Sequence, residues 1–173
     1  MDNLTALRRL VDETARLVDG VGTDQRTAPT PCPELTVDQL VTHLVEGTAM
    51  FVGALDPGAT AAAADWKSAG AQLVGVFEGR ADLDQTVNLP YGEYPLRVVL
   101  DHAVAETAIH AADLAHATGQ PITDTEVFDD VLARCRDLVG DEWRQDGVLG
   151  PEVPAPAGAS VPEQLLAFAG RRI

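Results

Sequence analysis

Apolar residues recur at helical spacing along most of the chain. Leu4, Leu7, Leu10, Val11, Leu17 and Val18 line one face of a first segment and predict a helix over about 3–18. Asp2 or Asn3 supplies its N-cap, and Gly20 and Gly22 end it. A loop broken by Pro29, Pro31 and Pro33 follows. Thr36 and Gln39 have the spacing of a capping box. Behind it, Val37, Leu40, Val41, Leu44 and Val45 form the apolar face of a second helix that ends near Leu55. An Ala-rich third helix is expected over about 60–78, with Trp66, Leu73, Val74 and Phe77 inward. The pattern then alternates (Thr86-Val87-Asn88-Leu89) before the turn residues Pro90 and Gly92, which predicts a loop or small hairpin. A fourth helix begins near Pro95 and is stopped by Gly119 and Pro121. A fifth spans about 124–138, extending toward Trp143, and a Pro- and Ala-rich tail closes with a short helix near 162–169.

Helices of several turns joined by short connections predict an all-α fold, a four-helix bundle with an additional C-terminal helix and an extended tail. The expected organisation is one domain over 1–173, with the core bundle at about 3–120 and the extra helix and tail at about 121–173.

Composition narrows the function. Aromatic residues make up only 5% of the 173 positions while 46% are hydrophobic, so the core is built mainly from Leu, Val and Ala, two of which favour helix. The formal net charge is −15. Such a surface repels phosphate backbones and anionic lipid, and no basic patch with interleaved aromatics appears, so neither nucleic acid nor membrane is an expected partner. Cys32 and Cys135 stand far apart, in no CxxC pattern and in no disulfide framework. No signal-like N-terminus and no run of about 18 apolar residues is present, and the expected location is the cytoplasm, with reduced thiols.

The fourth helix carries the chemistry. His102, Glu106, His110 and Asp113 follow one another at spacings of four, four and three residues, which keeps them within about one quadrant of a helix surface. Their flanks are apolar: Val98, Val99, Val104, Ile109 and Leu114. An unpaired carboxylate on such a face is costly to bury, and a divalent cation shared with imidazoles removes that cost. Glu106 and His110 meet at one helix face, so both reach one ion. A third ligand must then come from another helix, and His43 is the candidate; a satisfied core histidine is the plainer reading of the same residue. Glu106 with His110, or with His102, also fits a surface ion pair. His116, near a helix end, fits an interaction with the terminal carbonyls.

Three segments carry a family resemblance: TPCPELTVDQLVTHLVEG (30–47), AETAIHAADLAHATGQP (105–121) and LLAFAGRR (165–172). Together they resemble the DinB-like metal-binding superfamily in its mycothiol-dependent maleylpyruvate-isomerase branch, over nearly the whole chain. The resemblance implies a bundle of DinB-like type and a metal held by His43, Glu106 and His110. It implies a divalent ion, zinc first, with nickel, iron or manganese also compatible with nitrogen and oxygen donors. It further implies a fourth position open to water, substrate or a low-molecular-weight thiol. Asp113 and His102 are the neighbouring pocket candidates, Asp113 as the partner that orients a ligand imidazole. Ala112 departs from the family pattern, where an aromatic is common, and is expected to leave space near the site. Cys32 lies in the family's Thr-Pro-Cys stretch with no transferable ligand role. Tyr94 and Arg97 are candidates for holding an anionic substrate. The isomerase itself carries a further C-terminal domain, whereas only about 50 residues follow the fourth helix here, so its activity is not carried over.

Three functions follow as expectations. One is a metal-dependent, thiol-using transferase, isomerase or detoxification enzyme. Another is a non-catalytic metal- or ligand-binding module. The third is a metal-free structural bundle. Serine-triad, phosphate-loop and dinucleotide motifs are absent. A small-molecule thiol or substrate is the expected partner. A homodimer is also compatible, with Trp66, Phe77 and Trp143 as its interface residues.

Overall fold

Asp2 caps helix α1 (Asn3–Asp19) by accepting from the Thr5 backbone N–H. The computed structural model describes residues 1–58, 63–138, 144 and 149–173. A single 3₁₀ turn (Thr23–Gln25) and the proline loop lead to α2 (Val37–Leu55). There the capping box forms as expected, with Gln39 N–H donating to Thr36 Oγ1 and the Thr36 N–H donating to Gln39 Oε1.

Helix α3 (Trp66–Phe77) starts later than its Ala-rich sequence suggests. Residues 63–65 are not helical, and 59–62 lie outside the described residues, as does Trp143. The reason is local: Asp65 accepts from the Ser68 N–H and caps the helix there, whereas the alanines before it offer no cap.

The alternating stretch is a two-stranded antiparallel hairpin, β1 (Thr86–Leu89) with β2 (Gly92–Pro95), in which Leu89 pairs with Gly92. Helix α4 (Leu96–Thr118) follows without a break, and Pro95 is its N-cap rather than part of its first turn. Helix α5 (Thr125–Leu138) and the short α6 (Val161–Phe168) complete the described helices. Ser160 and Glu163 give α6 a capping box of its own.

The protein is therefore mostly helical with one small sheet. Helix α1 packs on α3 and α4, α2 packs on the same two, and α6 packs on α4 and α5. Gly70 allows the α1–α3 contact, since a Cβ there would stand 2.5 Å from Val11 Cγ1. One apolar cluster runs through α1 to α6 and β1, with Leu7, Leu40, Leu73, Leu114, Phe128 and Leu165 among its buried members. Trp66 and Phe77 are 2% and 4% exposed, and Trp66 Nε1–H donates to Val11 O, so neither is an interface residue. Helix α4 touches α1, α2, α5, α6 and both strands. A helix surrounded in this way has no broad solvent face, and Thr107, His110, Asp113 and Thr118 end up inside the molecule. Among the described residues, no helix is long and apolar enough to cross a membrane.

Candidate metal centre

Two helices deliver the donors. His43 stands in the second turn of α2, and Glu106 and His110 lie one turn apart on α4, which packs against α2. Glu106 Oε1 lies 3.4 Å from His43 Nε2 and 3.2 Å from His110 Nε2. The two imidazole rings meet edge to face, with centroids 4.9 Å apart. One donor atom from each residue falls within 4.8 Å of the others. An ion about 2.1 Å from each donor in tetrahedral coordination holds its donors roughly 3.4 Å apart, so this spacing fits a metal.

The protonation chemistry points the same way. Asp113 is fully buried, and its Oδ2 lies 3.0 Å from His110 Nδ1. An ionised carboxylate only accepts, so the ring proton sits on Nδ1 and a neutral ring turns its Nε2 lone pair toward Glu106. Two acceptors then face each other, which is stable only with a cation or a proton between them. With the proton, burial pulls His110 down, but the hydrogen bonds to Asp113 and Glu106 outweigh it and raise its pKa. Burial likewise works against the Glu106 charge, and the bonds from His110 and His43 overcome it, holding the carboxyl well below its usual range.

The triad opens into a cavity of about 760 Å³. Its walls are largely apolar, with Met50, Phe51, Val98, Ile109 and Val131 among them. Cys32, half-buried, also lines it; burial pushes its thiol up, against the opposing pull of Arg171. Cys32, His110 and Asp113 form a second group of convergent donors that shares His110 with the first. Cys135 is buried, and desolvation raises its pKa to about 11.

Other expected residues take different places. His102 is not among the convergent donors; its ring packs on Tyr91 and Tyr94, and its Nδ1 lies 3.2 Å from Tyr91 Oη. Burial lowers its pKa to about 4, so it is neutral near pH 7. Arg97 faces the surface, ion-paired with Asp84, and lines no part of the cavity. Tyr94 supports His102 from outside the cavity wall, where Tyr91 is the tyrosine that lines it. Ala112 is 1% exposed in the core and opens no space at the site. His116 is exposed in the last turn of α4. Sequence reasoning gave Arg171 no role, yet its buried guanidinium lies 3.4 Å from both Asp113 Oδ1 and Cys32 Sγ. The only advance signal was its place in the resembling segment LLAFAGRR.

The model of the mycothiol maleylpyruvate isomerase N-terminal domain matches residues 7–82. Two relatives in Mycobacterium tuberculosis, the uncharacterized protein Rv0738 of strain H37Rv and the uncharacterized protein MT0763 of strain CDC 1551, are each 34% identical over 181 aligned positions, covering all of both chains. The chain belongs to the mycothiol maleylpyruvate isomerase N-terminal domain family. No solved structure matches it. The stretch matched by the family model holds His43 and ends before α4, so Glu106 and His110 enter the site on geometry.

Proposed function

We propose that this chain is a divalent-metal-binding protein of the DinB-type four-helix-bundle class, one domain over 1–173, that works on or with a small thiol. His43, Glu106 and His110 hold the ion, most simply Zn²⁺, with Ni²⁺, Fe²⁺ or Mn²⁺ as alternatives. The observation that carries the reading is the meeting of His43 Nε2 and His110 Nε2 on one Glu106 oxygen at the wall of a large cavity.

When bound, the ion supplies a Lewis acid that lowers the pKa of a thiol at its open position. The chain's own residues do the rest. Asp113 holds His110 in one tautomer, the apolar walls exclude water, and the cavity gives a second reactant room beside the thiol. This arrangement suits a mycothiol-like thiol transferase, isomerase or detoxification enzyme acting in the cytoplasm, without nucleic acid or membrane as partner. Binding of the same ligands without turnover is the non-catalytic version of the reading. A metal-free bundle is the second reading, favoured by the fact that one proton on His110 also reconciles it with Glu106.

The test is the metal content of the untagged protein after zinc loading, beside His43→Ala, Glu106→Ala and His110→Ala. About one equivalent in the parent, lost in all three variants, is expected. An empty parent after reconstitution would leave the metal-free bundle standing. Where the parent takes up metal, addition of thiol to a cobalt-substituted form separates thiol use from metal storage.

A further inference from the structure

Asp113 is fully buried, and its two oxygens are treated differently. Oδ2 serves His110, whereas Oδ1 has no hydrogen-bond partner among the described residues and faces Arg171 Nε at 3.4 Å. Arg171 Nε likewise has no hydrogen-bond partner among the described residues, and its side chain is only 10% exposed. A buried carboxylate needs a counter-charge, and a neutral, metal-ligating His110 supplies a hydrogen bond but no charge. Arg171 supplies the charge. Its Nη2 donates to Cys32 Sγ at 3.4 Å, which ties the same guanidinium to the loop before α2.

The backbone is shaped to bring this arginine in. Past α6, the Arg171 N–H donates to Leu166 O and the Gly170 N–H to Ala167 O. Gly170 has a φ of +81°, and a Cβ there would lie 2.7 Å from Gly150 Cα. Only glycine fits this turn.

We propose that Arg171 is a positioning residue of the metal centre. It anchors Asp113, which in turn directs the His110 Nε2 lone pair toward His43 and Glu106, so the C-terminal turn sets metal affinity. The proposal rests on the metal reading above. Outer partners of ligand histidines commonly change metal affinity by about 10–100-fold.

Zinc affinity would be measured by chelator competition for the parent, Arg171→Gln, Arg171→Lys and Gly170→Ala. A loss of about 10–100-fold is expected for Arg171→Gln. Lysine, which keeps the charge but not the planar fork, should lose less, and Gly170→Ala should shift in the same direction. Parent-like affinity in a folded Arg171→Gln protein overturns the proposal. Should that variant not fold, Arg171→Met, which keeps the apolar stem, takes its place under the same criterion. A parent that takes up no zinc defeats the metal reading, and the ring tautomer then decides the role of Arg171 separately. Nitrogen NMR of the metal-free parent at a pH above about 9, where the His110 ring is neutral, should show it protonated on Nδ1, and Arg171→Gln should lose that single tautomer. An unchanged tautomer overturns the assignment.

Discussion

Glu13 on α1 and Glu106 on α4 both carry a carboxylate into the molecule, and their surroundings differ. Glu13 is 6% exposed and fully partnered. Arg16 Nη2 donates to Oε1 at 2.7 Å, the Thr123 N–H to the same oxygen at 2.7 Å, and Thr123 Oγ1–H to Oε2 at 2.6 Å. That network locks α1 to the segment after α4. Among the described residues Glu106 meets two imidazoles, one of which already gives its Nδ1 proton to Asp113, and Glu106 also lines the cavity. A saturated carboxylate stabilises a fold; an unsaturated one facing a cavity is available to a ligand.

Substitutions can break this contrast. The largest effect is expected at Glu106. Glu106→Ala should weaken zinc binding more than about 100-fold, beyond the usual range for outer partners, while leaving urea stability near that of the metal-free parent. A large loss of metal-free stability would make Glu106 a structural residue like Glu13. Next comes Glu13→Ala, expected to cost about 3 kcal/mol in urea unfolding with zinc stoichiometry intact, because Arg16 and Thr123 lose a buried charged acceptor.

A pH titration sharpens the comparison further. Burial alone would raise the Glu13 pKa, but the bonds from Arg16 and Thr123 prevail and lower it. The folded state therefore holds Glu13 ionised more readily than the unfolded chain. Its contribution is complete above the ordinary glutamate range and fades as pH falls through the lower folded value. Glu13→Gln should flatten this acid limb of the stability curve, and a parent-like slope in that variant would refute the linkage. The smallest effect is expected at His102. His102→Phe keeps the ring packing against Tyr91 and Tyr94 and should leave zinc affinity within about twofold, since outer partners, not distant rings, account for larger changes.

Two histidines of the same helix mark how far a sequence can be read. His102 and His110 lie on one stripe by spacing, both among apolar neighbours. Spacing does not say that the β1–β2 hairpin folds back so that Tyr91 and Tyr94 take up the His102 ring. It does say that Glu106, His110 and Asp113 share a face, because those offsets are set within one helix. The helix ends at Asp2, Thr36 and Gly119 were legible for the same reason: each cap acts on a backbone group a few residues away. The start of α3 was misjudged because alanine content favours helix without saying where one begins, and Asp65 decided it.

The sequence by itself determined the helical segments, their caps, the hairpin and the Glu106–His110–Asp113 stripe, all products of local geometry at the period of one helix or strand. The tertiary structure decided what depends on packing between distant segments. It brought His43 across to Glu106, placed Arg171 beside Asp113, turned His102 toward the tyrosines and buried Trp66 and Phe77 in the core. Those meetings come from the burial of apolar faces between helices, a force without direction, and no offset along the chain encodes which side chains it brings together.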